Sequence, residues 1–250
     1  MSTMLPPADA SPPATPGPSL AARTLRVFAR PFQAWEGLEN RATWWFPLVL
    51  VCVVQFTLAI VLYDRVMIPS ALEAMRPKVE SGQITESQAQ EFATAPVSRI
   101  INLVAVVVIT AAIPFVVALG LWFGVGFMLG GKFSYRGALE VSAWSSLVTV
   151  PAALVKYGLS AWQEVSINSI HLGLGALVPV PDPPEKLSQA LAGLLDLIGP
   201  STIWLLVVQV AGCCALSGAR RANVAWVLSA LYVVLAVIGA IVAYLLTPGA

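Results

Sequence analysis

Between residues 100 and 129 the sequence runs from Ile100 to Leu129 without a single charged side chain. Comparable apolar runs cover 44–63, 137–159, 201–217 and 224–246. Each is about as long as the roughly 20 residues a helix needs to cross the hydrocarbon core of a bilayer. Inside hydrocarbon every backbone N–H and C=O has to be satisfied within the chain, so such runs are restricted to helices or closed barrels. These runs are continuous rather than alternating, which selects helices. The expected fold is therefore all-α: a polytopic membrane bundle of five transmembrane helices with short amphipathic helices at its surface. The composition agrees, with 58% apolar and 11% charged residues, far from the balance of a water-soluble domain.

The same composition narrows the chemistry. A formal net charge of +1 and the lack of long basic or acidic runs give no footing for nucleic acid. The three cysteines, Cys52, Cys213 and Cys214, lie inside apolar runs and act as small hydrophobes, so neither a disulfide framework nor a zinc site is expected. His171 is the single histidine, and no Gly-x-Ser-x-Gly elbow, His-Glu-x-x-His or phosphate-binding loop occurs. No catalytic, cofactor-binding or metal-binding residue set is expected, and hence no enzyme.

Read in order, residues 1–19 carry prolines at 6, 7, 12, 13, 16 and 18 and read as a disordered tail without the basic-then-apolar order of a signal peptide. In 20–40, Leu25, Phe28, Phe32, Trp35 and Leu38 recur at three- and four-residue steps, opposed by a basic face of Arg23, Arg26 and Arg30. This predicts an interfacial amphipathic segment kinked at Pro31, although the same spacing allows a helix packed on the spans. The five-helix membrane domain follows over 41–250. Residues 69–98 read as a polar helical hairpin outside the membrane, with a helix start at Thr85. The run 100–129 contains Pro114 and two close-approach spacings, Gly120-x-x-x-Gly124 and Gly126-x-x-x-Gly130. In 137–159, Ser142, Ser145, Ser146 and Thr149 follow one another along one side, which is expected to face protein, around a Pro151 whose freed carbonyl they can help satisfy. Glu185 to Ile198 predicts a short amphipathic helix along the interface, and Gly199-Pro200 with Ser201 a fresh helix start.

Basic residues set the orientation. Arg23, Arg26, Arg30, Arg41, Lys132, Arg136, Arg220 and Arg221 fall on short flanks of one side, against a sparser Arg65, Arg76, Lys78, Arg99 and Lys186 on the longer loops of the other. The expectation is an N-terminus in the cytoplasm and a C-terminus outside, in the inner membrane if the chain is bacterial.

Three ionisable residues border or enter the hydrocarbon, where charge is costly. Lys156, late in the third span, and Asp196, just before the fourth, come to similar depth in an antiparallel bundle, so an intramembrane ion pair is expected, with separate snorkelling to water or a proton or ion relay as the alternatives. Glu140 follows Arg136 by four residues and is expected to pair with it at the helix edge.

The order of these features resembles the bacterial branch of the Yip family, whose eukaryotic members are Rab/Ypt-GTPase-interacting membrane proteins of the secretory pathway. The resemblance rests on Val27-Phe28 through Pro31 to Trp35, on Trp44-Trp45-Phe46-Pro47, on the stretch from Gly130-Gly131-Lys132-Phe133-Ser134-Tyr135-Arg136 to Leu139, and on Leu195-Asp196-Leu197 with Ile203-Trp204 and Gly212. It implies a five-helix domain with a cytoplasmic N-terminus and no catalytic residue. The function expected is non-enzymatic: organising the membrane or partner proteins in a trafficking-like role. The partners are the lipid bilayer and, beyond it, other membrane proteins or a second copy of the chain. The alternative is a small multi-pass transporter or channel subunit, which a midplane polar cluster or water path would favour. A membrane enzyme would need Glu140, Asp196 or His171 to converge in one cavity.

Overall fold

The structure, a computed structural model, describes residues 18–38, 42–179 and 186–246. Most of the Pro-rich tail, Arg41 of the basic flank and most of the Pro-rich loop at 178–184 lie outside the described residues. Among the described residues there is helix and no strand. The order is α1 (Leu20–Ala29), α2 (Trp45–Val61), α3 (Ile68–Glu80), α4 (Glu86–Thr94), α5 (Pro96–Leu121), α6 (Tyr135–Ser146), α7 (Thr149–Gln163), α8 (Lys186–Asp196), α9 (Pro200–Ser217) and α10 (Arg221–Leu246).

Among the described residues four helical stretches are long and apolar enough to cross a membrane: Pro96–Met128, Tyr135–Gln163, Pro200–Ser217 and Arg221–Ile241. A fifth is reached if α2 is counted with the segment Tyr63–Glu80, from which it is bent by 80°. The predicted span over 44–63 is thus shorter than expected. The straight helix ends at Val61, and a π-helical turn, Tyr63–Met67, redirects the chain into α3. Gly82, with φ of 71°, reverses it into α4, which opens on a capping box: the Thr85 hydroxyl accepts from the Gln88 amide, and the Gln88 side chain accepts from the Thr85 amide.

The α6–α7 unit is the centre of the bundle. Over half of its apolar window (56%) is buried, against 6% for α5 with its extension and 11% for α10, which line the outside. It packs against α2, α5 and α9, and its Trp144, Leu147 and Val141 anchor a core completed by Leu121, Val208 and Leu228. The helix breaks at Leu147-Val148 because Pro151 has no amide to give to the Leu147 carbonyl; that carbonyl accepts from Val150 N at 3.1 Å instead. Hydroxyls tighten the same turn, with Ser145, Ser146 and Thr149 each donating to a carbonyl three residues back. The serine side does face protein, since Ser142 and Ser145 are buried.

Pro114 leaves α5 unbroken. Its carbonyl accepts from Ser142 Oγ at 2.7 Å, tying the outer helix to the central one. The first close-approach spacing brings α10 in: a Cβ added at Gly120 would lie 3.0 Å from Leu231, and one at Gly124 2.9 Å from Val227. The second is spent locally, since a Cβ at Gly126 would meet Phe133 O, and Gly130 has the positive φ of 63° that turns the chain into α6.

Ser201 is not the cap of α9. Gly199 holds the cap position and Pro200 the first helical one, where a missing amide costs nothing.

Candidate functional site

The polar chemistry gathers at the two ends of the bundle. At the first end, α1 stops at Ala29 and a short 3-10 turn, Pro31–Gln33, folds the chain back over α9. Val27, Ala34, Trp35 and Leu38 enter the same core as the spans. Trp35 lies flat on Gly212, where an added Cβ would come within 2.7 Å of its ring.

Arg23 corrects the expected basic face. It is 3% exposed and points into the protein, while Leu25, Phe28 and Phe32 of the expected apolar face are exposed. Its Nη2 donates to the Glu36 carbonyl at 2.8 Å, its Nη1 to Thr43 Oγ1 at 3.4 Å, and its guanidinium lies 5.4 Å from the Trp144 ring centroid. Burial lowers the Arg23 pKa from its ordinary value, the Glu140 charge opposes the drop, and Arg26 adds to it. Arg26 instead bridges to Glu36 at 3.0 Å, and Arg30 is exposed.

Glu140 corrects the second expectation. Its carboxylate turns away from Arg136, which is exposed, and into the protein, where Glu140 is 2% exposed. Oε1 accepts from Thr43 N at 2.6 Å and Oε2 from Thr43 Oγ1 at 3.0 Å. The reason is satisfaction: Thr43 gives a buried carboxylate two donors, which one solvated arginine on the helix surface does not match. Thr43 Oγ1 donates its one proton to Glu140 and accepts from Arg23 Nη1 and from Trp144 Nε1 at 3.1 Å, so the hydroxyl is fully used. Arg23, Thr43, Glu140 and Trp144 form one lock between α1, the start of α2 and α6. Thr43 was not legible as its hub, because nothing in a lone threonine before a span announces a partner 97 residues away.

Around this lock the same end is basic. Arg30, Lys132, Arg136, Arg220 and Arg221 are exposed, and none forms an ion pair with a carboxylate among the described residues. Arg221 lies over the Phe32 ring at 4.3 Å, and the glycine turn at Gly131 abuts Ser217, so α1, the loop before α6 and the α9–α10 turn meet here. Trp45 at the start of α2, Phe127 near the end of the extension of α5 and Trp226 near the start of α10 are exposed at the helix ends, the placement of aromatic rings at a membrane interface.

At the opposite end Asp196 closes α8 on the loop after α7. Its Oδ1 accepts from Gly173 N at 2.7 Å. Its Oδ2 stands 3.6 Å from Lys156 Nζ, too long for a direct hydrogen bond but within range of charge attraction, and 3.6 Å from His171 Nδ1. The structure thus brings Lys156 and Asp196 together, and His171 with them. Glu140, held by Thr43 at the other end, takes no part. Gly173 and Gly175 let the loop lie directly on the α8 backbone.

Between the ends runs a buried polar seam that the apolar sequence hid. Tyr232 OH donates to Gln209 Oε1 at 2.8 Å, and Gln209 Nε2 to Ser145 Oγ at 3.4 Å. Ser145 was legible as facing protein, while Gln209, 2% exposed, carried the signal that was missed: an amide inside a span.

Helices of spanning length, a lipid-facing apolar exterior and polar groups confined to locks, seam and ends define an integral membrane protein of polytopic helical type. Residues 25–243 match the family model of the Yip1 domain, and the chain belongs to that family. No match is found among curated proteins or among solved structures.

Proposed function

We propose that this protein is a non-enzymatic organiser of membranes or of partner proteins, acting through its basic end at an anionic bilayer surface. One observation carries the reading: Arg30, Lys132, Arg136, Arg220 and Arg221 stand exposed, with no carboxylate partner among the described residues, at the same end as exposed Leu25, Phe28 and Phe32. Such a surface combines attraction to anionic headgroups, about 1 kcal/mol per basic residue, with apolar side chains that enter the acyl boundary. The Arg23–Thr43–Glu140 lock supports it by fixing α1 to the bundle, so that its outward apolar face is presented as a rigid edge. By the positive-inside rule this end is cytoplasmic and the Asp196 end is outside.

The transport alternative would draw on the Tyr232–Gln209–Ser145 seam. Those groups are engaged with one another, which favours a structural tie over a solute path.

The test is extraction of the full chain with its surrounding lipid into polymer discs. Anionic phospholipid should be enriched over the bulk membrane, and neutralising Arg30, Lys132, Arg136, Arg220 and Arg221 to Gln should abolish the enrichment. Equal lipid composition around both proteins would remove the basis of the reading. The orientation has its own measurement: a cysteine at Ser81 should label from outside the cell and one at Gly218 should not, and the reverse pattern would invert the arrangement.

A further inference from the structure

A groove opens on the side of the bundle between α5, α8 and α10. Val117 and Gly120, Gly193 and Leu197, and Leu235 and Gly239 form its walls, and its volume is about 670 Å3. Its α5 and α10 walls belong to helices of spanning length, so it lies at hydrocarbon depth. It is continuous with the bilayer-facing surface of those helices, where Val116, Leu119 and Ile238 are exposed. Of the described side chains that line it, only Tyr232 carries a polar atom, and its hydroxyl proton is already given to Gln209.

The glycines make the space. A Cβ placed at Gly193 or Gly239 would meet nothing within 4 Å, whereas Gly120 beside them is packed on Leu231. Size then selects the occupant. A transmembrane helix is about 10–12 Å across, so the about 670 Å3 available is filled by little more than one of its turns and cannot seat a partner span. Taking roughly 30 Å3 for a small group, the share of one water in the liquid, the groove holds on the order of twenty methylene-sized groups. That is one extended hydrocarbon chain. With no free polar group to recognise a headgroup inside, the contact is by shape and dispersion alone.

We propose that the groove between α5, α8 and α10 is a binding site for a single acyl chain of a membrane lipid. The site is independent of the basic end, which lies at the other extreme of α10. The α8 residues Ala190, Gly193 and Leu194 wall one side of the occupant.

The test uses the full chain in membranes that contain a zwitterionic phosphatidylcholine carrying a photoactivatable diazirine near the end of one acyl chain. Crosslinks should concentrate on residues 116–121 and 231–240, several-fold above those on the equally exposed Val104 and Val108 of α5. Labelling spread evenly over both surfaces overturns the proposal. Gly193→Phe and Gly239→Phe, which fill the groove from two different helices, should each reduce groove labelling to the Val104–Val108 level. Gly158→Phe, on the exposed face of α7 with open space at its Cβ, should leave it unchanged. Persistent groove labelling in either filled variant that retains the wild-type helical spectrum overturns the site, and if neither retains it the wild-type distribution decides. Because the probe is zwitterionic, its outcome is separate from the anionic enrichment at the basic end.

Discussion

The two charged clusters differ in how they treat water. At the basic end Arg23 and Glu140 are 3% and 2% exposed, and every link between them passes through Thr43 at 2.6 to 3.4 Å. At the other end the Lys156 and Asp196 side chains are 31% and 20% exposed and stand 3.6 Å apart. Their opposite charges alone would rank them alike. What separates them is the second row of donors: the first cluster replaces water with Thr43, Trp144 and the Glu36 carbonyl, while the second leaves part of that work to solvent.

The sharpest way to break this contrast is to remove one member of the dry cluster. Glu140→Leu leaves Arg23 buried without its countercharge, and Arg23→Met leaves the carboxylate so; each is expected to cost about 3 to 5 kcal/mol in unfolding from mixed micelles. A loss below that of Lys156→Met would mean that the cluster is hydrated after all. Next comes Gly212→Ala, whose new methyl would press on the Trp35 ring and cost about 1 to 3 kcal/mol by overpacking. Tryptophan fluorescence should shift with the displaced ring, and an unchanged spectrum with unchanged stability would show that the N-terminal segment does not sit on α9.

The smallest effects belong to the wet cluster. Lys156→Met removes a partly exposed ion pair and should cost about 0.2 to 1 kcal/mol, declining further as salt is raised. Asp196→Leu should cost more, because it also strips the Gly173 amide of its acceptor. The double variant should therefore resemble Asp196→Leu and not recover, in contrast to an isolated buried pair, where replacing both charges is close to neutral. Recovery in the double variant would show that the pair, and not the Gly173 contact, is what Asp196 serves.

Much of the fold was legible because the bilayer leaves few choices. Apolar runs of spanning length dictate helices, Thr85 dictates a helix start, and Gly120 with Gly124 dictates a close neighbour, whereas the break at Leu147-Val148 before Pro151 appeared only in the structure. The family resemblance was legible in the same way, as an order of short motifs along those helices, and residues 25–243 bear it out. Lys156 and Asp196 could be placed at one depth by counting along antiparallel spans, which needs no knowledge of side-chain direction.

Depth was not enough for Arg23 and Glu140. Local spacing offered each a partner on its own helix surface: Arg26 and Arg30 for a basic face, Arg136 for an ion pair. A one-dimensional pattern weighs only neighbours within a turn or two, and a surface pair or face is worth a fraction of a kcal/mol. Tertiary structure offered Thr43, Trp144 and the Glu36 carbonyl in a place without water, where an unmet charge costs several times more. The larger energy decided the rotamers, so the sequence by itself determined that this chain is a bundle of helices long and apolar enough to cross a membrane, and only the packed bundle decided where α2 bends away and which charges are kept inside.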